Sequence, residues 1–323
     1  MQGLVTVFGG SGFVGRYAVR ALARHGWRVR VAIRRPHLAP ELKVMGEVGQ
    51  IEIVQANVRD ADSVRRALEG ADACVNLVGV LFERGRQGFD ALHATAPKTI
   101  AEIAASLGVR RFVQISAIGA DAGSAAKYAK TKAAGEAAAR AAYPQVTILR
   151  PSVVFGAEDS FFNRFGAMAA MAPALPLIGG GKTRFQPVFA GDVGEAIAAA
   201  VNDPATVGKT YELGGPAVYT FKELMQVVLR ESLQKCALIA IPFPLASLMG
   251  KVGDICAILP FAPPITSDQV ENLRHDNVVG ASALGLAALG VQPTPLDAVL
   301  PTYMWIYRKG GQFAQPEQGN AAA

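Results

Sequence analysis

A chain of 323 residues, 51% hydrophobic and 18% charged, can bury a large core as one α/β domain with an appended region or as two domains. Its net charge of +6 is carried by scattered Lys and Arg without a basic run, so no nucleic-acid patch is expected; the balance suits an anionic lipid or acidic partner, or an ordinary solvated surface. The three cysteines, Cys74, Cys236 and Cys256, show neither CxxC nor metal-ligand spacing, which argues against a metal site and for buried thiols in a reducing compartment. A mean hydropathy of +0.25 leaves two readings open: an alanine-rich interior of buried helices, or a surface partly covered by a partner or a membrane. No apolar run approaches the roughly 18 residues a transmembrane helix needs. The first strand is expected from about residue 3, with no charged or apolar leader before it, which predicts neither signal nor transit peptide and points to a bacterial cytoplasm or a mature form.

Strands and helices then alternate. Leu4–Phe8 is an apolar run suited to a buried parallel strand. Residues 16–25 read as a helix closed by Gly26. Strands are expected at 29–33 and 51–55, a helix at 62–68 before Gly70, and a fourth strand at 73–78, followed by a loop carrying Arg84, Gly85, Arg86 and Gly88. A helix over 95–107, a strand over 111–115, a helix through 132–142 and a strand at 147–149 complete a βαβ series. The expected fold is α/β, a Rossmann-type doubly wound parallel sheet with its ligand at the carboxyl ends of the strands. From about Phe161 the pattern loosens into loops, with Gly179-Gly180-Gly181, expected to form a lid. Residues 220–232 look helical, with Thr220 and Glu223 as a capping box. Between Cys236 and Ile265, Leu245, Leu248, Met249, Val252, Ile255, Cys256 and Leu259 recur at helical spacing between prolines, an amphipathic helix with Lys251 and Asp254 on its other face. The expected division is 1–230 for the dinucleotide domain with lid elements from about 157, 231–310 for the apolar C-terminal region, and 311–323 for a disordered tail.

The first βα turn carries Gly9-x-x-Gly12-x-x-Gly15. Gly9 permits the sharp turn, Gly12 lets backbone approach a pyrophosphate, and Gly15 lets helix and strand pack closely. The helix N-terminus adds free N–H groups, with Ser11, Phe13, Val14 and Arg16 around it. An NAD site would place a carboxylate at the end of the second strand, about 20 residues on. Here Ile33 is followed by Arg34 and Arg35, which suits a 2′-phosphate and predicts NADP(H). Arg16, a cation in a helix's first turn, also asks for a nearby anion. By position, Asn57 and Val58 face the adenine, and Val78 and Gly79 pass beside the ribose.

Tyr128 and Lys132, at i and i+4, share a helix face, and a nearby ammonium together with the cofactor's positive ring would lower the phenol's pKa, making it a usable acid or base. With the glycine turn and Leu149-Arg150-Pro151-Ser152-Val153-Val154-Phe155-Gly156, these residues resemble the extended short-chain dehydrogenase/reductase superfamily over roughly residues 1–230. The resemblance implies that Tyr128 is an acid/base, that Lys132 holds the nicotinamide ribose, that Pro151 and Val153 flank the cofactor, and that a Ser or Thr after the fifth strand polarises substrate. That hydroxyl position falls on Ala117, with Ser116 one residue early, and a one-residue slip reverses side-chain direction.

A narrower resemblance covers nearly the whole chain. Gln186-Pro187-Val188-x-x-x-Asp192-Val193 and Tyr211-Glu212-Leu213-Gly214-Gly215-Pro216, followed by Tyr219-Thr220-Phe221, are similar to the atypical branch that contains the NADPH-binding accessory subunit of respiratory complex I. That resemblance implies a structural NADPH, complex I subunits and the membrane surface as partners, and a peripheral place on the cytoplasmic side of a bacterial inner membrane. The alternative is a soluble NADP-dependent reductase, epimerase or isomerase acting on a small molecule or quinone.

Overall fold

The computed structural model describes residues 2–256 and 265–314. Leu4–Phe8 (β1), Arg28–Ile33 (β2), Ile51–Gln55 (β3), Ala73–Asn76 (β4), Arg111–Ile115 (β5), Thr147–Pro151 (β6) and Thr210–Leu213 (β7) form one parallel sheet in the order β7-β6-β5-β4-β1-β2-β3. The order reverses between β1 and β4, the switch point where such sheets open a crevice at their carboxyl ends. β4 is buried at every residue, as expected of a strand covered on both faces. One cover is α1 (Phe13–Arg24); the other holds α2 (Ala61–Leu68), α3 (Ala96–Ser106) and α4 (Lys127–Ala142).

Three boundaries differ from the sequence expectation for identifiable reasons. β4 stops at Asn76 rather than Val78. The Asn76 side chain donates to Gln114 Oε1 (2.9 Å) and accepts from the Val78 N–H (3.1 Å), turning the chain off the sheet. A π-turn at Asp90–Thr95 precedes α3. α4 starts at Lys127, so Tyr128 and Lys132 do lie on one helix.

The alternation also continues past Phe161. After α5 (Phe162–Met171) comes α6 (Ala190–Asn202), which packs with α1 on the same face of the sheet, and β7 extends the sheet beside β6. α6 is buried on nearly every side, so it lacks the polar stripe that marks a helix in sequence. At its crossing with α1, a Cβ on Gly194 would stand 2.8 Å from the Tyr17 carbonyl oxygen.

A second apolar core joins Phe155 and Phe162 to Leu224 and Val228 of α7 (Phe221–Ser232) and to Leu296, Leu300 and Met304. It draws residues from both sides of position 230. The Thr220–Glu223 capping box is formed at the start of α7. Buried Asp159 accepts from the Phe162 N–H (2.6 Å) and from the Tyr303 hydroxyl (2.5 Å), fastening the end of the chain to the start of α5. Residues 309–314, expected to be without structure, instead form turns with a 3-10 segment at Gly311–Phe313. Arg308 anchors them by donating to the Glu231 carbonyl at 2.7 Å. The rest of that expected tail, 315–323, lies outside the described residues.

α8 (Phe243–Cys256) turns its small residues inward. Ala246, Gly250 and Gly253 are buried, and Gly250 and Gly253 meet the backbone of Ser267 and Ile265 beside α9 (Ser267–Asn272). Its large residues face out: Leu245, Leu248, Met249 and Val252 are 41–60% exposed. The side chains of Ile255 and Cys256, and all of Leu259, lie outside the described residues. No helix among the described residues is long and apolar enough to cross a membrane.

The α1–α6 contact yields a test. Gly194→Ala forces a methyl into the Tyr17 backbone and should destabilise the fold by about 1–3 kcal/mol, read as a lower denaturant midpoint at unchanged m-value.

Candidate functional site

Gly9 closes β1 with φ +80°, a left-handed conformation that favours glycine. Gly12 then donates to the Gly9 carbonyl (3.1 Å) and serves as the N-cap of α1. A Cβ on Gly15 would overlap the Gly9 carbonyl oxygen and lie 2.7 Å from Gly10, so the helix can approach the turn only with glycine there. α1 has no side-chain cap and no acid in its first turn, which leaves its first amides and dipole for an anion.

Beside this turn opens a cleft of about 240 Å³. The expected Gly9, Ser11, Gly12, Arg34, Asn57, Val58, Val78 and Gly79 all line it, together with Arg59 and Gln87. No carboxylate among the described residues lines it, and neither Arg34 nor Arg35 has a described ionic partner. Arg34 and a free helix N-terminus without a counter-charge fit a ligand bearing several phosphates. Among the described residues, no group of His, Cys, Asp or Glu is placed to hold a metal ion.

The other expected residues fall elsewhere. Arg35 is exposed and opens a short turn at Pro36–Leu38. The anion that Arg16 seemed to require is internal: Glu158 lies at 2.5 Å and Glu41 at 3.7 Å. Arg16 therefore carries no weight for a 2′-phosphate. Phe13 leans over Gly156 in the loop after β6, and Val14 packs against the core beneath the turn; Pro151 ends β6, and Val153 packs on the apolar core of Phe155 and Phe162. Ser116 is 4% exposed; its N–H donates to the Leu149 carbonyl (2.7 Å), while its hydroxyl is buried with no partner among the described residues. Ala117 beside it is more open, so the hydroxyl and the more accessible position fall on different residues.

Lys132 borders the cleft at Gly79, where a Cβ would stand 3.3 Å from Lys132 Nζ; neither Lys132 nor Tyr128 lines the cleft itself. The Tyr128 ring packs edge-on against Phe89 and His93, with centroids 5.8 and 5.3 Å away. From the protein's own groups the phenol's pKa is not lowered. Burial first, and the charge of Asp268 second, push it up to about 12. Lys132 sits over the ring, 5.8 Å from its centroid, and burial pushes its amine down to about 8 against the pull of Glu136. Glu136 is itself held by a bidentate contact with Arg150 (2.9 and 2.6 Å), which fixes α4 on β6.

Asp268, His93 and Asn277 escaped the sequence reading. Asp268 accepts from the Lys127 and Tyr128 amides at 2.5 and 3.2 Å, capping α4 from a distant part of the chain. Asn277 accepts from Ser152 Oγ (2.6 Å) and the Val153 N–H (3.1 Å) and donates to the Ile118 carbonyl (3.3 Å), joining the loops after β5 and β6. The Thr266–Gln269 capping box around Asp268 was a readable signal; nothing local in the sequence points to Asn277. His93 Nε2 accepts from the Val80 N–H (3.1 Å), which leaves Nδ1 to donate to Thr131 Oγ1 (3.3 Å). Burial first, and then the Lys132 charge, push its pKa down to about 3.

His93 is thus neutral in the fold but able to charge once unfolded. Its contribution to stability is complete above the unfolded value of about 6.5 and is lost as pH falls towards 3, with a slope of up to about 1.4 kcal/mol per pH unit. The ring should remain neutral with its proton on Nδ1 at pH 5, checked by ¹⁵N NMR of the imidazole nitrogens.

The sequence matches the NAD dependent epimerase/dehydratase family over residues 5–214. It is 37% identical over 320 residues to the mitochondrial NADH dehydrogenase [ubiquinone] 1 alpha subcomplex subunit 9 of Arabidopsis thaliana, covering 96% of this chain and 80% of that protein. It is 28% identical to the ceramide reductase of Caulobacter vibrioides over 96% of both chains. The NADPH-dependent quinone oxidoreductase of Escherichia coli, solved with NADPH, superposes with a TM-score of 0.70 at 19% identity, covering 93% of this chain and 98% of that one. This chain belongs to the NAD dependent epimerase/dehydratase family, on the branch that includes the alpha subcomplex subunit 9 proteins.

Proposed function

We propose that this chain is an accessory subunit of a membrane-bound NADH:quinone oxidoreductase, holding NADP(H) mainly as a structural ligand, peripheral on the cytoplasmic side of a bacterial inner membrane. The observation that carries the reading is the likeness to alpha subcomplex subunit 9 along 96% of the chain. The site adds support for a binding role. Ala117 offers no hydroxyl to a substrate, the Ser116 hydroxyl is buried, and burial first, with Asp268 second, pushes the Tyr128 phenol up to about 12, further from a match to proton transfer near pH 7. Lys132 still reaches Gly79, where it can hold a ribose whether or not chemistry follows.

A bound nicotinamide would supply hydride chemistry. The residues of this chain bind and orient it: the α1 amides take the pyrophosphate, and Arg34 at the end of β2 takes the 2′-phosphate. Arg34→Asp should weaken NADP(H) roughly 10- to 100-fold relative to NAD(H), the value of one charge-assisted contact; isothermal titration with both nucleotides checks this, and an unchanged preference removes the 2′-phosphate assignment.

The exposed ridge of Leu245, Leu248, Met249 and Val252 is the face offered to a neighbouring subunit, since the inward face of α8 is already filled by its own chain. A second reading, reduction of a carbonyl on a lipid-like substrate, draws on the retained Tyr128 and Lys132 and on the likeness to a ceramide reductase along 96% of both chains. Purification from native membranes separates the two. The first expects the chain to co-migrate with iron–sulfur and quinone-reducing subunits and Leu245→Lys/Leu248→Lys to release it. Turnover of NADPH with a long-chain ketone by the isolated chain, lost in Tyr128→Phe, establishes the second instead.

A further inference from the structure

The loop between β4 and the π-turn hangs from a single side chain. At one end the Val80 N–H donates to His93 Nε2 (3.1 Å); at the other, Phe89 is buried and stacked on the same ring, centroids 5.1 Å apart. Between these two feet, Glu83–Arg86 are exposed. The segment has its own tight turn, with Arg84 and Gln87 exchanging backbone hydrogen bonds (3.2 and 3.0 Å). A surface loop whose ends meet on one fixed group can move as a unit.

Two contacts hold it down. Arg59, in the loop after β3, donates from Nη1 to the Arg86 carbonyl (2.9 Å). Arg59 and Gln87 both line the cofactor cleft, so this bond joins the β3 side of the cleft to the β4 side across its mouth. On the side facing α4, Lys127 Nζ donates to both oxygens of Glu83 (3.1 Å each). Glu83 in turn accepts from the Phe89 N–H (2.7 Å), tying that latch to the stacked foot.

We infer that residues 81–87 are a flap over the cofactor cleft, latched by Arg59 on Arg86 and by Lys127 on Glu83, and that opening it gates entry and exit of the dinucleotide. The inference rests on the cofactor reading above. Because the latches join protein to protein, loosening them speeds both directions of exchange. A side chain that simply gripped the ligand would change release far more than entry.

The test is stopped-flow binding of NADPH to the full chain, followed by its own fluorescence, with release measured by displacement with NADP⁺. In Arg59→Ala and in Glu83→Gln, kon and koff should each rise about two- to ten-fold, the worth of one latch bond, with Kd changed less than about two-fold. Glu83→Gln, an exposed and nearly isosteric change, keeps the test open if Arg59→Ala misfolds. A rise in koff matched by an equal loss of affinity makes Arg59 a ligand contact and overturns the flap, as do unchanged rates in both variants. Absence of NADPH or NADH binding in the unaltered chain overturns the cofactor reading and the flap with it.

Discussion

The reactive half of this site depends on one hydrogen-bonded junction. α4 carries Tyr128 and Lys132 in its first two turns, yet Ala126 gives it no side-chain cap and its first turn holds no acid. The first amides of a helix have no acceptor within the helix itself. Asp268 supplies the missing acceptor from 141 residues away. Burial first, and the same carboxylate second, raise the phenol's pKa, so what secures the helix also works against the acid/base role its tyrosine would have in a reductase. Together with Asn277, which clasps the loops after β5 and β6, it ties the middle third of the chain to the last third beside the cleft.

The C-terminal region divides its apolar residues by size. α8 packs through Ala246, Gly250 and Gly253, because only small residues let it lie against the backbone of 265–267. Leu245, Leu248, Met249 and Val252 are left outside. Periodicity alone identifies an apolar stripe; which stripe is buried is decided by how closely two backbones must approach. The apparent seam of the helix is therefore its outer face, a surface the rest of the described chain leaves uncovered.

Much of the fold was legible because the physics is local. The glycine turn, Ile51–Gln55, Arg111–Ile115 and the Thr220 capping box follow from turn geometry, apolar runs and cap chemistry within a few residues. α6 was not, because a helix buried all round has no polar stripe. Arg34 and the other expected residues at the strand ends line the cleft, since strand order sets what faces the switch point. Arg16 misled because its carboxylates, Glu41 and Glu158, are distant in sequence. The pKa of Tyr128 was not legible because its main determinant, burial, and the Asp268 charge after it arise only in the tertiary fold, whereas Lys132 is visible four residues on.

The core shared by α5, α7 and residues 296–304 has a consequence for synthesis. β1–β6 and their helices can pair as they emerge from the ribosome, since their contacts are nearly sequential. Phe155, Phe162 and Leu224 cannot be fully covered until Leu300 and Met304 have been made. Over the intervening stretch the growing chain therefore carries a formed sheet beside an apolar layer still waiting for its last partners, an interval in which a chaperone would shield it.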